Sequence, residues 1–160
     1  RDVKPDNVVL TPTADGEQAV LIDFGSAGFR AVEGELATTR LIAASLRYAA
    51  PERLTGHYST ASDVYSLAVT ILEVLSGQHA MELGEAPGTE PFERAVASAL
   101  RRELPERISG GVAELLAQGF APDTRQRPAK VQLWCEAIAE ALTATDRPST
   151  SAQNRNLREP

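Results

Sequence analysis

A nearly continuous apolar segment near the middle of this 160-residue chain constrains its fold most. The segment runs from about Val64 to Leu75, and its large apolar residues recur at the spacing of an α-helix. Ser62 or Asp63 suits the N-terminus of such a helix, and Gly77 follows its end. A helix that is apolar on nearly every side is a buried one. We therefore predict a mainly α domain built around this central helix, in a chain long enough for a real core.

Further helices are predicted after an irregular loop at His79–Thr89. Amphipathic patterns favour helices at Pro91–Glu103, Gly110–Phe120 and Ala129–Leu142, and Pro128 suits the first turn of the last one. The residues that we expect to face the core are Phe92, Ala95, Val96, Ala99, Leu100, Val112, Leu115, Leu116, Phe120, Val131, Leu133, Trp134, Ile138 and Leu142.

The N-terminal part of the chain predicts a β-hairpin. Val8–Leu10 and Ala19–Ile22 are short apolar runs, and the Asp-Gly pair at 15–16 between them is a turn signal. Antiparallel pairing of the two runs would bring Asn7 and Asp23 side by side. Magnesium prefers oxygen ligands, so these two residues are candidate metal ligands.

Four polar residues around this hairpin suit phosphoryl transfer from a nucleotide. Asp2, Lys4 and Asn7 lie in one short segment, and Asp23 follows the second strand. One carboxylate can position a hydroxyl and one ammonium can neutralise the transferred phosphoryl group, while an amide and a second carboxylate hold magnesium.

The same segments resemble protein kinases. The run from Arg1 to Asn7 resembles the kinase catalytic loop, and Asp23-Phe24-Gly25 resembles the magnesium motif of that family. A lysine two residues after the aspartate is similar to the serine/threonine type. Three later features resemble the same family in the same order: Ser45–Glu52 with its Ala-Pro-Glu ending, Asp63 on the central helix, and Asp123–Pro128.

The resemblance covers about residues 1–142 and implies a fold and a function. The implied fold is the large C-terminal lobe of a eukaryotic-like serine/threonine protein kinase, a helical bundle with a short β-hairpin that carries the catalytic and metal-binding loops. The implied function is transfer of the γ-phosphate of ATP to serine or threonine hydroxyls of proteins, with Mg²⁺. The implied site comprises Asp2, Lys4 and Ser45 as catalytic residues, Lys4, Asn7 and Asp23 as cofactor-binding residues, and Asn7 and Asp23 as metal ligands.

The resemblance also implies regulatory and structural residues. Residues 26–49 correspond to an activation segment, in which Thr38 or Thr39 is the candidate phosphate acceptor and Arg1 the candidate partner of that phosphate. Either threonine could equally be an ordinary polar loop residue. Three other residues have implied structural roles: Arg127 pairs with Glu52, and Asp63 bonds to the backbone of the catalytic loop. Asp63 could also be a plain helix N-cap, and the two roles are compatible.

Parts of the family pattern are not found in the sequence. No glycine-rich phosphate loop and no strand lysine of the small lobe occurs in these 160 residues, and Ala44 stands where the family commonly has glycine before the hydroxyl residue. The chain thus begins inside the catalytic loop, and we expect it to be inactive alone. The alternatives are a pseudokinase-like scaffold or protein-binding module and a small-molecule kinase of the aminoglycoside phosphotransferase kind, although the latter typically lacks Ala-Pro-Glu.

Composition limits the remaining choices. A net charge of −6 and a pI near 5.0 argue against sequence-independent nucleic-acid binding. The single cysteine, Cys135, excludes an internal disulfide and favours a cytoplasmic location, and no membrane segment is visible, although the parent protein could be anchored through other regions. We expect residues 1–143 to form the partial kinase domain and the polar residues 144–160 to form a disordered tail or linker.

Overall fold

The computed structural model describes residues 3–14, 16–22 and 46–144. In these ranges the chain forms two strands and four α-helices, joined by short 3-10 turns. The strands are β1 (Val8–Thr13) and β2 (Gly16–Leu21); the helices are α1 (Thr60–Ser76), α2 (Glu90–Glu103), α3 (Glu106–Gly119) and α4 (Val131–Thr143). This largely helical architecture with a small hairpin confirms the predicted fold class.

The predicted hairpin is present. β1 and β2 pair in antiparallel fashion with Val8 opposite Leu21, and the Ile22 N–H donates to the Asn7 carbonyl at 2.7 Å. β1 is longer than its apolar run and continues through Pro12 to Thr13. A two-stranded sheet tolerates this proline because each strand is an edge strand, where a missing N–H need not interrupt a ladder.

The central helix begins earlier than the sequence suggested. Ser59, in an extended conformation, is the N-cap of α1, and its N–H donates to the Ser62 hydroxyl at 3.3 Å. Ser62 and Asp63 therefore lie inside the first turns of the helix, and the interpretation of Asp63 as an N-cap is wrong. The predicted end is confirmed, because Gly77 adopts a left-handed conformation with φ of 65° and its N–H bonds to Glu73.

Two of the other helices also differ from prediction at their starts. α3 begins at Glu106 and runs through Gly110, whereas the sequence pattern placed its start at that glycine. α4 begins at Val131, so Pro128 precedes the helix and is not in its first turn. Leu133 was expected to face the core, but 56% of it is exposed to solvent.

The core lies between α1 and the three helices that follow it. Phe120 is fully buried and makes edge-to-face contacts with Tyr65 and Phe92, at centroid distances of 5.6 and 4.9 Å. The indole N–H of Trp134 on α4 donates to the Leu115 carbonyl on α3 at 2.9 Å, which leaves no unpaired donor on this buried ring. These contacts join all four helices around α1.

No helix within residues 46–144 combines the length and the apolar character that a membrane span requires.

Candidate active site

Two of the predicted site residues, Lys4 and Asn7, lie at the base of the hairpin. A 3-10 turn at Pro5–Asn7 follows Lys4, and the Asn7 N–H donates to the Lys4 carbonyl at 3.0 Å. Asn7 is buried, whereas the strand residues beyond it are largely exposed. The turn thus fixes the backbone of Asn7 between Lys4 on one side and Ile22 on the other.

The hairpin places Asn7 next to the residue that precedes Asp23. Ile22 is paired with Asn7 through its N–H, and Asp23 follows Ile22 directly in the sequence. Six predicted site residues lie outside the described ranges: Arg1, Asp2, Asp23, Thr38, Thr39 and Ser45. Their roles stay predictions, and so do the roles of Lys4 and Asn7.

Glu52, predicted to pair with Arg127, makes a bidentate ion pair with that residue. The two guanidinium nitrogens of Arg127 lie 2.7 and 3.1 Å from the two carboxylate oxygens. Ser62 on α1 donates its hydroxyl to the same carboxylate at 2.7 Å. The remaining guanidinium donors reach the backbone carbonyls of Ala61 and Ala121 at 3.0 and 2.8 Å. The pair therefore connects three segments that are distant in sequence.

Hydrogen bonds stabilise the ionised form of Glu52 in this pair. Burial alone would raise the pKa of Glu52, but hydrogen bonds from Arg127 and Ser62 outweigh it and keep the pKa of Glu52 below its usual range. The Arg127 side chain is fully buried, and its guanidinium carbon lies 5.1 Å from the centre of the Tyr65 ring. Such a pair fixes geometry more than it adds net stability.

A second connection, which the sequence did not predict, joins the same region to α1. The Tyr48 hydroxyl donates to the Glu73 carboxylate at 2.5 Å, and Arg47 pairs with Glu82 at 2.9 Å. Burial, the hydrogen bond to Glu73 and the charge of Glu73 raise the pKa of Tyr48, and Asp6 adds to the effect. Glu73 lies within the apolar run of the central helix, and no local sequence signal identifies it as the partner of Tyr48.

The position of Asp63 is consistent with a structural role. Asp63 is half-buried in the fourth position of α1, next to Ser62 and lining a small pocket with Arg53 and Tyr58. Its bond to the catalytic loop stays a prediction.

The described residues contain one of the two predicted metal ligands. Asn7 offers an amide oxygen of the type that magnesium accepts, and it lies at the end of the strand that pairs with the strand before Asp23. No group of three histidine, cysteine, aspartate or glutamate side chains comes together within residues 3–14, 16–22 and 46–144. An amide oxygen suits magnesium, which proteins usually hold through few groups together with phosphate oxygens, and the metal-binding role of Asn7 stays a prediction.

Cys135 is not a candidate nucleophile. It is half-buried on α4, and burial raises the pKa of its thiol, which keeps the sulfur protonated.

Comparison with known proteins identifies one family over most of the chain. Residues 1–140 match the protein kinase domain. Over 144 aligned residues the chain is 32% identical to serine/threonine-protein kinase PBL35 of Arabidopsis thaliana, which covers 80% of this chain and 29% of that protein. It is 32% identical to serine/threonine-protein kinase pkn2 of Myxococcus xanthus, covering 90% of this chain and 18% of that protein.

A third relative covers the chain almost completely. Serine/threonine-protein kinase PknK of Mycobacterium bovis is 39% identical over 155 aligned residues, which are 95% of this chain and 12% of that protein. The chain thus spans less than a third of the length of each of these relatives.

Proposed function

Because this chain belongs to the protein kinase domain family, we propose that its protein transfers the γ-phosphate of ATP to serine or threonine hydroxyls of other proteins. The observation that supports this most is the 2.7 Å hydrogen bond from the Ile22 N–H to the Asn7 carbonyl, because Ile22 directly precedes Asp-Phe-Gly in the sequence. The names of the relatives support the serine/threonine type, as does the position of Lys4 two residues after Asp2.

We assign the chemical steps to residues of this chain. Asp2 orients the substrate hydroxyl and accepts its proton, and Lys4 donates to the γ-phosphate as negative charge moves onto the leaving oxygen. Asn7 and Asp23 would hold Mg²⁺, which neutralises phosphate charge when it is bound. Ser45 would bond to Asp2 and Lys4 and favour hydroxyl substrates of the serine/threonine kind.

Buried contacts would position the segment that carries Ser45. Glu52, seven residues later, is fixed by Arg127 and Ser62, and Tyr48 is fixed by Glu73. Catalysis of this type depends almost entirely on positioning and electrostatics, so rigid attachment of this segment to α1 is a functional requirement.

We propose that phosphorylation regulates the site. A phosphate on Thr38 or Thr39 would carry nearly two negative charges, and Arg1 beside Asp2 would bind it. Mass spectrometry of the active protein should find phosphate on one of these threonines. Full activity with both threonines unmodified would contradict this part of the proposal.

A phosphotransfer assay on the complete gene product tests the proposed function. Asp2→Asn or Asp23→Asn should reduce ³²P transfer from ATP and Mg²⁺ to a protein substrate by roughly a hundredfold or more. Asp6→Asn is the matched control, because Asp6 is an exposed carboxylate in the same loop and should leave the rate nearly unchanged. Phosphoamino acid analysis should detect phosphoserine or phosphothreonine and no phosphotyrosine.

Two outcomes would replace the proposal. Nucleotide binding without phosphotransfer by the wild-type protein would favour a scaffold, and transfer to a small molecule instead of a protein would favour the phosphotransferase alternative.

The 160 residues alone should show no turnover, because the glycine-rich loop and strand lysine that would contact the nucleotide are not among them. A cytoplasmic location, where ATP and protein substrates are available, is part of the same proposal.

A further inference from the structure

His79 is a buried imidazole just beyond the end of α1. It is 1% exposed, and its Nδ1 accepts a hydrogen bond from the Met81 N–H at 3.1 Å. Since Nδ1 is an acceptor, the neutral ring carries its proton on Nε2. Nε2 is buried and has no hydrogen-bond partner among the described residues. The ring is therefore built into the structure in its neutral form.

The imidazole packs directly against Tyr48. The two ring centroids are 4.9 Å apart and the ring planes meet at 84°, an edge-to-face contact. The Tyr48 hydroxyl donates to Glu73 on α1. His79 is thus one end of a chain of contacts through which the segment ending in Ala-Pro-Glu is attached to the central helix.

Four titratable or charged groups surround the imidazole. Arg47 and Tyr48 lie on the preceding segment, Glu73 on α1 and Glu82 on the following 3-10 turn. The Glu82 carboxylate accepts a hydrogen bond from the backbone N–H of His79 at 3.3 Å. Burial lowers the pKa of His79 most, and the positive charge of Arg47 lowers it further. Glu73 and Glu82 act in the opposite direction without reversing the effect.

We propose that His79 is an acid-sensitive switch. In its neutral form it accepts the hydrogen bond from the Met81 N–H and packs against Tyr48, whose hydroxyl bonds to Glu73. A second proton on the imidazole ring breaks both contacts of His79. Nδ1 takes this proton from solvent and becomes a donor facing another donor, so the N–H···N bond from Met81 is lost. The resulting imidazolium is unfavourable in this buried site, so the ring moves out and loses its contact with Tyr48.

The sign of the effect follows from the direction of the shift. Below pH 6.5, the ordinary pKa of histidine, His79 is protonated in the unfolded chain but stays neutral in the folded chain until the pH reaches its lowered pKa. The contacts are complete above pH 6.5 and are lost as the pH falls through the lowered pKa of His79 in the folded state. Acidification therefore loosens the Tyr48 part of the segment, while Glu52 stays bound to Arg127, and a return to neutral pH restores the contacts of His79.

An NMR titration of the 160-residue chain tests the switch. The chain contains only two histidines, so His57→Gln leaves the ring signals of His79 alone in a ¹³C-histidine-labelled sample. In a ¹³C-tyrosine-labelled sample, the signals that disappear in the Tyr48→Phe variant are those of Tyr48. We expect the His79 signals to titrate with a midpoint below 6.5 and the Tyr48 signals to shift with the same midpoint. Tyr48 signals that stay constant while His79 titrates would overturn the proposal.

His79→Asn is the decisive variant. Asparagine keeps an acceptor near the position of Nδ1 for the Met81 N–H but cannot be protonated, so Tyr48 should lose its pH response between about 5 and 7. A response as large as that of the wild type would contradict the switch. If this variant does not fold, the wild-type titration decides by itself.

The consequence for phosphoryl transfer rests on the function proposed above. In the complete protein the wild-type rate should fall on acidification with the His79 midpoint, and that step should be absent in His79→Asn. The NMR signals report the switch whether or not phosphate is transferred. An inactive protein with co-titrating His79 and Tyr48 would therefore count against the function alone.

Discussion

The hairpin and the helical bundle use apolar residues in opposite ways. In the bundle, Phe92 and Phe120 are completely buried, whereas on the hairpin Leu10 is 61% exposed and Val9 is 43% exposed. The hairpin strands are connected mainly by their own ladder of hydrogen bonds, and an isolated two-stranded hairpin is at best marginally stable in water. The bundle therefore supplies the stability, and the hairpin supplies the candidate chemical groups Lys4 and Asn7.

The largest expected effect separates the two regions directly. Phe92→Ala should lower the free energy of unfolding by about 3–5 kcal/mol, because it leaves a cavity beside Phe120. Leu10→Ala, on the hairpin, should change it by less than about 0.5 kcal/mol. Urea unfolding followed by Trp134 fluorescence measures both. Equal losses would mean that the hairpin belongs to the core.

The next prediction concerns the buried ion pair. Arg127→Ala should cost about 3–5 kcal/mol, because Glu52 would keep only Ser62 as a side-chain partner in a partly buried site. The control is Arg125→Ala, which breaks an exposed pair with Asp123 and should leave stability unchanged. The double variant Glu52→Leu/Arg127→Met should lose less than Arg127→Ala, and a larger loss would show that the pair adds net stability.

Two glycines of α3 sharpen the comparison within the bundle. A Cβ at Gly119 would lie 2.7 Å from Ala68 Cβ and 3.1 Å from the Trp134 ring, so Gly119→Ala should cost about 1–3 kcal/mol. Gly110 has open space around it in the same helix, and Gly110→Ala should stabilise the protein by about 0.5–1 kcal/mol. Thermal unfolding should separate the two variants in opposite directions from the wild type, and a shift of the same sign would contradict the packing described for Gly119.

The smallest effect is a change in acid sensitivity. The pKa of Glu52 is lowered from 4.5 in the folded state. Ionised Glu52 therefore stabilises the folded protein above pH 4.5, and this stabilisation is lost as the pH falls through the lowered pKa. Glu52→Gln should therefore flatten the dependence of stability on pH in this acidic range. A slope equal to that of the wild type would assign the acid sensitivity to other carboxylates.

The sequence predicted the bundle well because its helices have strong periodicity. Phe92, Val96 and Leu100 lie on one face of α2 and are buried as expected. Boundaries were less predictable, because capping depends on backbone geometry. Ser59 caps α1 although its partner Ser62 is also a plausible first residue. Leu133 shows the limit of periodicity, because it is 56% exposed although its neighbour Trp134 is buried and donates to the Leu115 carbonyl on α3.

Some contacts of the candidate site were predictable from the sequence and others were not. The two apolar runs and the Asp-Gly turn signal between them predicted the strand pairing that places Asn7 beside Ile22, because a hairpin between such short runs has few possible registers. The bond between Tyr48 and Glu73 had no local signal, because it joins residues that are 25 positions apart through tertiary packing. The sequence likewise predicts a loop at His79, and only burial in the folded chain distinguishes this residue from an ordinary surface histidine.

The Glu52–Arg127 pair has a consequence for the order of folding. Its partners are 75 positions apart, so the pair closes a long loop, and we expect it to form after α1, α2 and α3 have come together. A contact of this kind is expected to be absent from the transition state. Arg127→Ala should therefore accelerate unfolding in stopped-flow experiments while the refolding rate changes little, so that the pair determines how long the native state persists.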